Sequence, residues 1–229
     1  MDFSMEKALI QRAKNIRDNL GDHGDPYEES LLAGEVTLEL KIMVKEIFDH
    51  LRSSLDYCTR KIVISYGVDI SQYNVYFPIV SKSFKQKDFR SRLGKLLPGL
   101  INNRPDLIAF FESFQPFSSN ENNWISDFAT LSNQNKHEQL NIINTKAIRV
   151  IYSKHEYGVT LMNYLNSQEI TWNKTALMIS KNYPNDGVGE CDHYYIIFNA
   201  INIELLSFLD RCISGVEEIV KKLESIHNL

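Results

Sequence analysis

Leu40, Val44, Ile47, Leu51, Leu55, Cys58 and Ile62 follow one another at steps of four, three, four, four, three and four residues. An α-helix brings such a series onto one face, because positions three and four apart lie one turn away from each other. The seam therefore predicts a long helix running toward Tyr66, buried along one side by other elements. Asp25-Pro26 opens this helical stretch, with Asp25 as cap, Pro26 in the first turn, and Glu28 and Glu29 at the positive helix end. Gly34 weakens a helix interior by about 1 kcal/mol relative to alanine, and it marks a bend or split. Gly67 is the expected terminator.

Around this helix the sequence predicts others. Residues 4–20 repeat apolar side chains at helical spacing, with Ser4 as cap and Glu6 and Lys7 on an exposed side. Residues 84–116 hold two shorter helices broken at Pro98-Gly99, and a further helix carries Trp124, Phe128 and Leu131. Beyond Ile142 the texture changes. "KAIRVIYS", "YGVTLMNYL", "TALMIS" and "HYYIIFN" are rich in β-branched and aromatic residues and read as strands, with "NYPNDGVGECD" as the loop before the last. A final amphipathic helix from Ile203 places Leu205, Leu209, Cys212, Val216, Ile219 and Leu223 on one face. The expected fold class is α+β: a mainly helical bundle with a small antiparallel sheet inserted before the C-terminal helix. It is read as a single domain over 1–229, with a helical part at 1–141, the sheet at 142–200 and the closing helix at 201–229.

Composition narrows the function classes. A net charge of −4 gives no global basic field directed at nucleic acid, although it leaves room for a local basic patch. No apolar run reaches the roughly 20 residues that span a bilayer, and the N-terminal stretch lacks the apolar core of a secretory signal. The three cysteines, Cys58, Cys191 and Cys212, are widely spaced and form no CxxC pair. That points to a reducing cytoplasm and away from structural zinc. No cofactor motif is present: neither a glycine-rich phosphate loop nor GxSxG nor HExxH occurs.

The most informative polar groups lie in "HLRSSLDY" (50–57) and "LSNQNKHEQL" (131–140). Asp49, Arg52, Asp56 and Arg60 follow at helical intervals and border the apolar seam. Groups placed so are partly buried and need partners, which Asn135, Lys136 and His137 could supply. The preferred reading is a polar clamp between two helices, fixing register more than adding stability. The competing reading is a reactive site. There His137 would exchange a proton near neutral pH, Asp56 would orient its imidazole, and Arg52 and Lys136 would hold an anionic phosphate.

"LRSSLDY", "FPI" (77–79), "LPGL" (97–100), "QPF" (115–117) and "LSNQNKH", in this order, resemble a widespread group of uncharacterised bacterial proteins. Its pattern is LRxxLD[HY], FPI, QP[YF] and LxNxxKH. The likeness covers roughly residues 35–140 and implies that Arg52, Asp56, Asn133, Lys136 and His137 are the positions matching the motif. It implies no reaction. A weaker resemblance, to the HEPN class of helical proteins, rests on Arg149 and His155 in "RVIYSKH". It implies a metal-independent ribonuclease of bacterial antiviral defence, but the class carries this pair on a helix and the segment here reads as strand.

Other groupings say less. Cys191, Asp192 and His193 could approach a metal, yet neighbours on a strand point to opposite faces. Loop entry into a strand is the simpler reading. Lys85, Lys87, Arg90, Arg92 and Lys95, with Phe89 among them, could touch phosphates or form a solvated helix face. The last helix could pair with a second copy, though an intramolecular core explains its stripe more simply. Two functions follow as expectations. The first is a cytoplasmic, non-enzymatic module binding another protein, a ligand or itself, with the Arg52/Asp56/Lys136/His137 cluster as architecture. The alternative is the ribonuclease, with the same four residues catalytic.

Overall fold

The computed structural model describes residues 2–21, 24–65, 69–71, 74–97, 104–137, 143–155, 158–164 and 187–227, with side chains for all except 135–137, 146–194 and 227. The helix stop at Gly67, His23, residues 98–100 and the strand expected in "TALMIS" lie outside the described residues.

The seam helix forms as α3 (Leu38–Ser65), which is about 42 Å long at 1.5 Å per residue. All of its seven seam residues are buried. Gly34 splits the stretch: it ends α2 (Pro26–Ala33) in the left-handed conformation, at φ 72°, which glycine adopts without steric cost. Asp25 caps α2 as expected, accepting from the Glu28 N–H at 2.8 Å.

Helix α1 (Ser4–Asp18) corrects two details. Asp2, rather than Ser4, holds the start of the helix, accepting from both the Ser4 N–H and hydroxyl. Glu6 is not on an exposed side; it is 0% exposed. Four residues before Ile10 and seven before Ala13, it shares the face that α1 buries. Lys61 of α3 meets its carboxylate at 2.7 Å, and the Ser54 hydroxyl donates to its main-chain oxygen.

The closing helix, α7 (Leu205–His227), packs beside α1 and α3, and its whole apolar stripe is buried within the chain. Nothing of that stripe is left for a second copy. Lys7–Glu224, Lys14–Glu217 and Arg17–Asp210 bridge α1 and α7. Residue numbers rise on α1 as they fall on α7, so the two helices are antiparallel. Exposed pairs of this kind are worth little individually; here they set the register. Between α3 and α7 in the sequence come α4 (Gln86–Leu96), α5 (Pro105–Ser113) and α6 (Asn123–His137). Phe48 of α3 lies edge-on to Phe128 of α6 and stacks on Phe198 of the sheet. Trp124 of α6 fills the space over Gly215 of α7, where a Cβ would come within 2.3 Å of the indole.

The sheet enters between α6 and α7, as expected for this α+β class. Its strands are β1 (Ile143–His155), β2 (Gly158–Tyr164), β3 (Gly187–Phe198) and β4 (Ile203–Glu204), in the order β2-β1-β3-β4 and antiparallel throughout. The strand expected at "HYYIIFN" is longer than its alternation suggested. It starts at Gly187, inside the segment read as loop, and Gly187 to Asp192 pair with Lys154 to Arg149. Glycines and acids conceal this stretch, and the long partner strand supplies its ladder. Ile203, expected to start the last helix, instead pairs with Phe198, and Glu204 then accepts from the N–H groups of Leu206 and Ser207 to start α7. Among the described residues, no helix is long and apolar enough to cross a membrane.

Candidate functional site

Four residues apart on α3, Arg52 and Asp56 meet side by side, with Nε 3.1 Å from Oδ2. Their side chains are 21% and 18% exposed, at the border of the seam as the helical spacing requires. The other members of the expected stripe diverge. Asp49 pairs with Lys45 instead, and Arg60 is exposed.

Both members of the Arg52/Asp56 pair turn to one residue of the main chain. Asp56 Oδ1 accepts from the Phe77 N–H at 2.9 Å, and the Arg52 guanidinium approaches the Phe77 carbonyl oxygen at 3.5 Å. The pair thus presents an acceptor and a donor, as a neighbouring strand would. Residues 74–80 run without regular secondary structure. Val75, Phe77 and Val80 are nevertheless buried, which places main-chain polar groups where water cannot satisfy them.

Gln115 completes the job from the other side. Its Oε1 accepts from the Val80 N–H at 3.1 Å, and its Nε2 donates to the carbonyls of Pro78 at 2.8 Å and Phe111 at 2.9 Å. The side chain is 0% exposed and both of its amide hydrogens are used. The turn that carries Gln115 is held in its turn by Asn122, which donates to the Ser113 carbonyl at 2.8 Å. Phe77 closes the segment down by packing edge-on to Phe111 at 5.4 Å. Past Val80, Lys82 reaches Asp127 of α6 at 2.8 Å. The "LRSSLDY", "FPI" and "QPF" motifs therefore converge on a single feature, an extended segment strapped to α3 and α5 by side chains.

Lys136 and His137 close α6, and Asn133, one turn earlier, is exposed. The side chains of Lys136 and His137 lie outside the described residues. Arg149 and His155 both fall in β1, with Arg149 opposite Asp192 and His155 opposite Gly158. Cys191, Asp192 and His193 are interior to β3 rather than at its entry, and their side chains are likewise outside the described residues. Among the described residues, no group of three His, Cys, Asp or Glu could hold a metal ion.

Sequence reasoning missed the roles of Gln115, Lys82 and Asp127. A signal for the first was present in the proline-marked "QPF" motif. A second polar network joins α4 and α5: Glu112 receives Arg90 at 3.0 Å and Gln86 at 2.9 Å. The Arg90 guanidinium holds the Glu112 carboxyl below its ordinary value. Burial pushes the Cys58 and Cys212 thiols up, which keeps both in the unreactive protonated form. No family model, curated protein or solved structure matches the chain.

Proposed function

We propose that this chain is a non-enzymatic binding module in which the Arg52/Asp56 pair is architecture. One observation supports that reading above the others. Asp56 Oδ1 and one guanidinium nitrogen of Arg52 are turned onto the main chain of Phe77, and Asp56 Oδ2 onto the Arg52 Nε. Neither carboxylate oxygen is thus left bare for a substrate. The resemblance to the bacterial group fits the same reading. Its LRxxLD, FPI and QP[YF] motifs are the parts needed to strap an extended segment to two helices, and that is a requirement of folding.

The test compares RNA cleavage, with chelator present, by the wild-type chain and by His137→Ala and Asp56→Asn. The reading expects no turnover by any of the three. Cleavage by wild type that disappears in a folded His137→Ala variant would replace it with the ribonuclease reading.

A further inference from the structure

We infer that α4 and the loop leading into it form a docking surface for the phosphate backbone of nucleic acid, bound without regard to base sequence. The inference rests on the binding-module reading and names the class of partner.

Between Ser81 and Lys95 the chain carries Lys82, Lys85, Lys87, Arg90, Arg92 and Lys95 against one carboxylate, Asp88. This density stands out on a chain whose net charge is −4. Two of the cations are spoken for: Lys82 by Asp127 and Arg90 by Glu112. The remaining four, Lys85, Lys87, Arg92 and Lys95, are exposed, and none is in an ion pair among the described residues. Helix geometry sorts them. Phe89 and Leu93 point inward and are buried, so Lys87, Ser91 and Lys95, at intervals of four, line the outer face. Lys87 to Lys95 covers about 12 Å of helix, enough to span several charges of a strand that carries one per roughly 3.4 Å. Arg92 lies over the Phe84 ring at 5.9 Å, which holds its guanidinium beside the outer face. Ser91 adds an exposed hydroxyl donor, and the exposed Ser81 and Ser83 hydroxyls, bonded to each other at 3.1 Å, leave one further hydrogen to donate.

What the surface lacks decides the partner. A protein interface needs apolar or aromatic anchors at its centre, and no large apolar side chain in residues 81–96 is exposed. A peripheral membrane helix needs an apolar face to insert, and the apolar face of α4 is committed to the core. A phosphate backbone asks only for positioned cations and hydrogen-bond donors.

The experiment measures binding of a labelled mixed-sequence duplex DNA and a labelled single-stranded RNA, by fluorescence anisotropy, across a salt series. With four cations engaged, the logarithm of affinity should fall against the logarithm of salt with a slope of about −4 for the duplex and about −3 for the single strand. Raising salt from roughly 50 to 200 mM should then cost about a hundredfold in affinity. Scrambling the sequence should change nothing. Lys85→Ala/Lys87→Ala/Arg92→Ala/Lys95→Ala should abolish binding with an unchanged melting profile. The double variant Lys87→Glu/Lys95→Glu gives the same readout with fewer changes. Absence of binding at low salt would overturn the inference, as would full binding by either folded variant. So would capture by phosphatidylcholine vesicles containing phosphatidylserine, or by polyglutamate, in place of nucleic acid. Because the duplex arm reads binding alone, RNA cleavage would contradict the module reading without touching this result, and loss of binding would leave that reading standing.

Discussion

Gln115 offers the sharpest test of the strapped segment. Replacing it with leucine keeps most of its volume and removes three hydrogen bonds at once, to the Val80 N–H and to the Pro78 and Phe111 carbonyls. Each such bond contributes about 1 kcal/mol net, but the larger effect comes from groups left unmet: a buried, unpaired donor or acceptor costs roughly 1–3 kcal/mol. The Val80 N–H has a single hydrogen to place, and Val80 is buried. The two carbonyls each keep a second lone pair that a shifted neighbour or a water can reach, and they cost less. The expected loss is about 3–5 kcal/mol, a large part of the 5–15 kcal/mol by which domains are typically stable. Urea unfolding followed by far-UV circular dichroism measures it. The midpoint should fall by roughly 1–2 M with the slope unchanged, since the exposed surface on unfolding stays the same. Gln115→Glu should fare no better, because it sets a carboxylate against two carbonyl oxygens. A midpoint shift of less than about 0.3 M for Gln115→Leu would mean that segment 74–80 is not held by Gln115, and the reasoning would fail there.

Three further outcomes follow. Gly215→Ala drives a Cβ into the Trp124 indole at 2.3 Å, a rigid ring with little freedom to yield; melting should show a loss of about 1–3 kcal/mol, despite alanine's better helix propensity. Lys61→Ala strands the fully buried Glu6 carboxylate. Breaking a buried pair costs 3–5 kcal/mol, and because Lys61 is 32% exposed the loss should be about 2–3 kcal/mol; adding Glu6→Gln should recover part of it. Glu112, with its carboxyl held low by Arg90, contributes stability that is present above its unfolded value of roughly 4.3 and is lost as pH falls through the lowered folded value. Arg90 is 59% exposed and screened by solvent, so the effect is small; the melting-temperature gap between wild type and Arg90→Ala should close as pH drops through that window.

The long-range architecture was legible because it rests on periodicity. A seam of seven residues at helical steps can hardly mean anything but α3, and Asp25, Pro26 and Gly34 mark helix ends by local stereochemistry. The texture change after Ile142 announced the sheet. Its extent was hidden, because Gly187 and Gly189 carry no side-chain pattern and the ladder to β1 is a property of the partner strand. The charge of Glu6 suggests an exposed position, but it lies one turn from Ile10 on the face that α1 buries. At the candidate site, helical spacing identified the Arg52/Asp56 pair and its partial burial. The structure adds the backbone of Phe77 as a partner of both residues. Side-chain-to-backbone bonds of that kind, like those of Gln115, follow no period and depend on where the chain returns in space.

The central claim, that the Arg52/Asp56 pair holds the fold, is tested most directly by the unfolding free energy of Asp56→Ala. The substitution removes the acceptor of the Phe77 N–H and the partner of Arg52 together. The account predicts a loss of about 2–3 kcal/mol, given a charged hydrogen bond in a pair that solvent partly reaches. Wild-type stability in Asp56→Ala would contradict it.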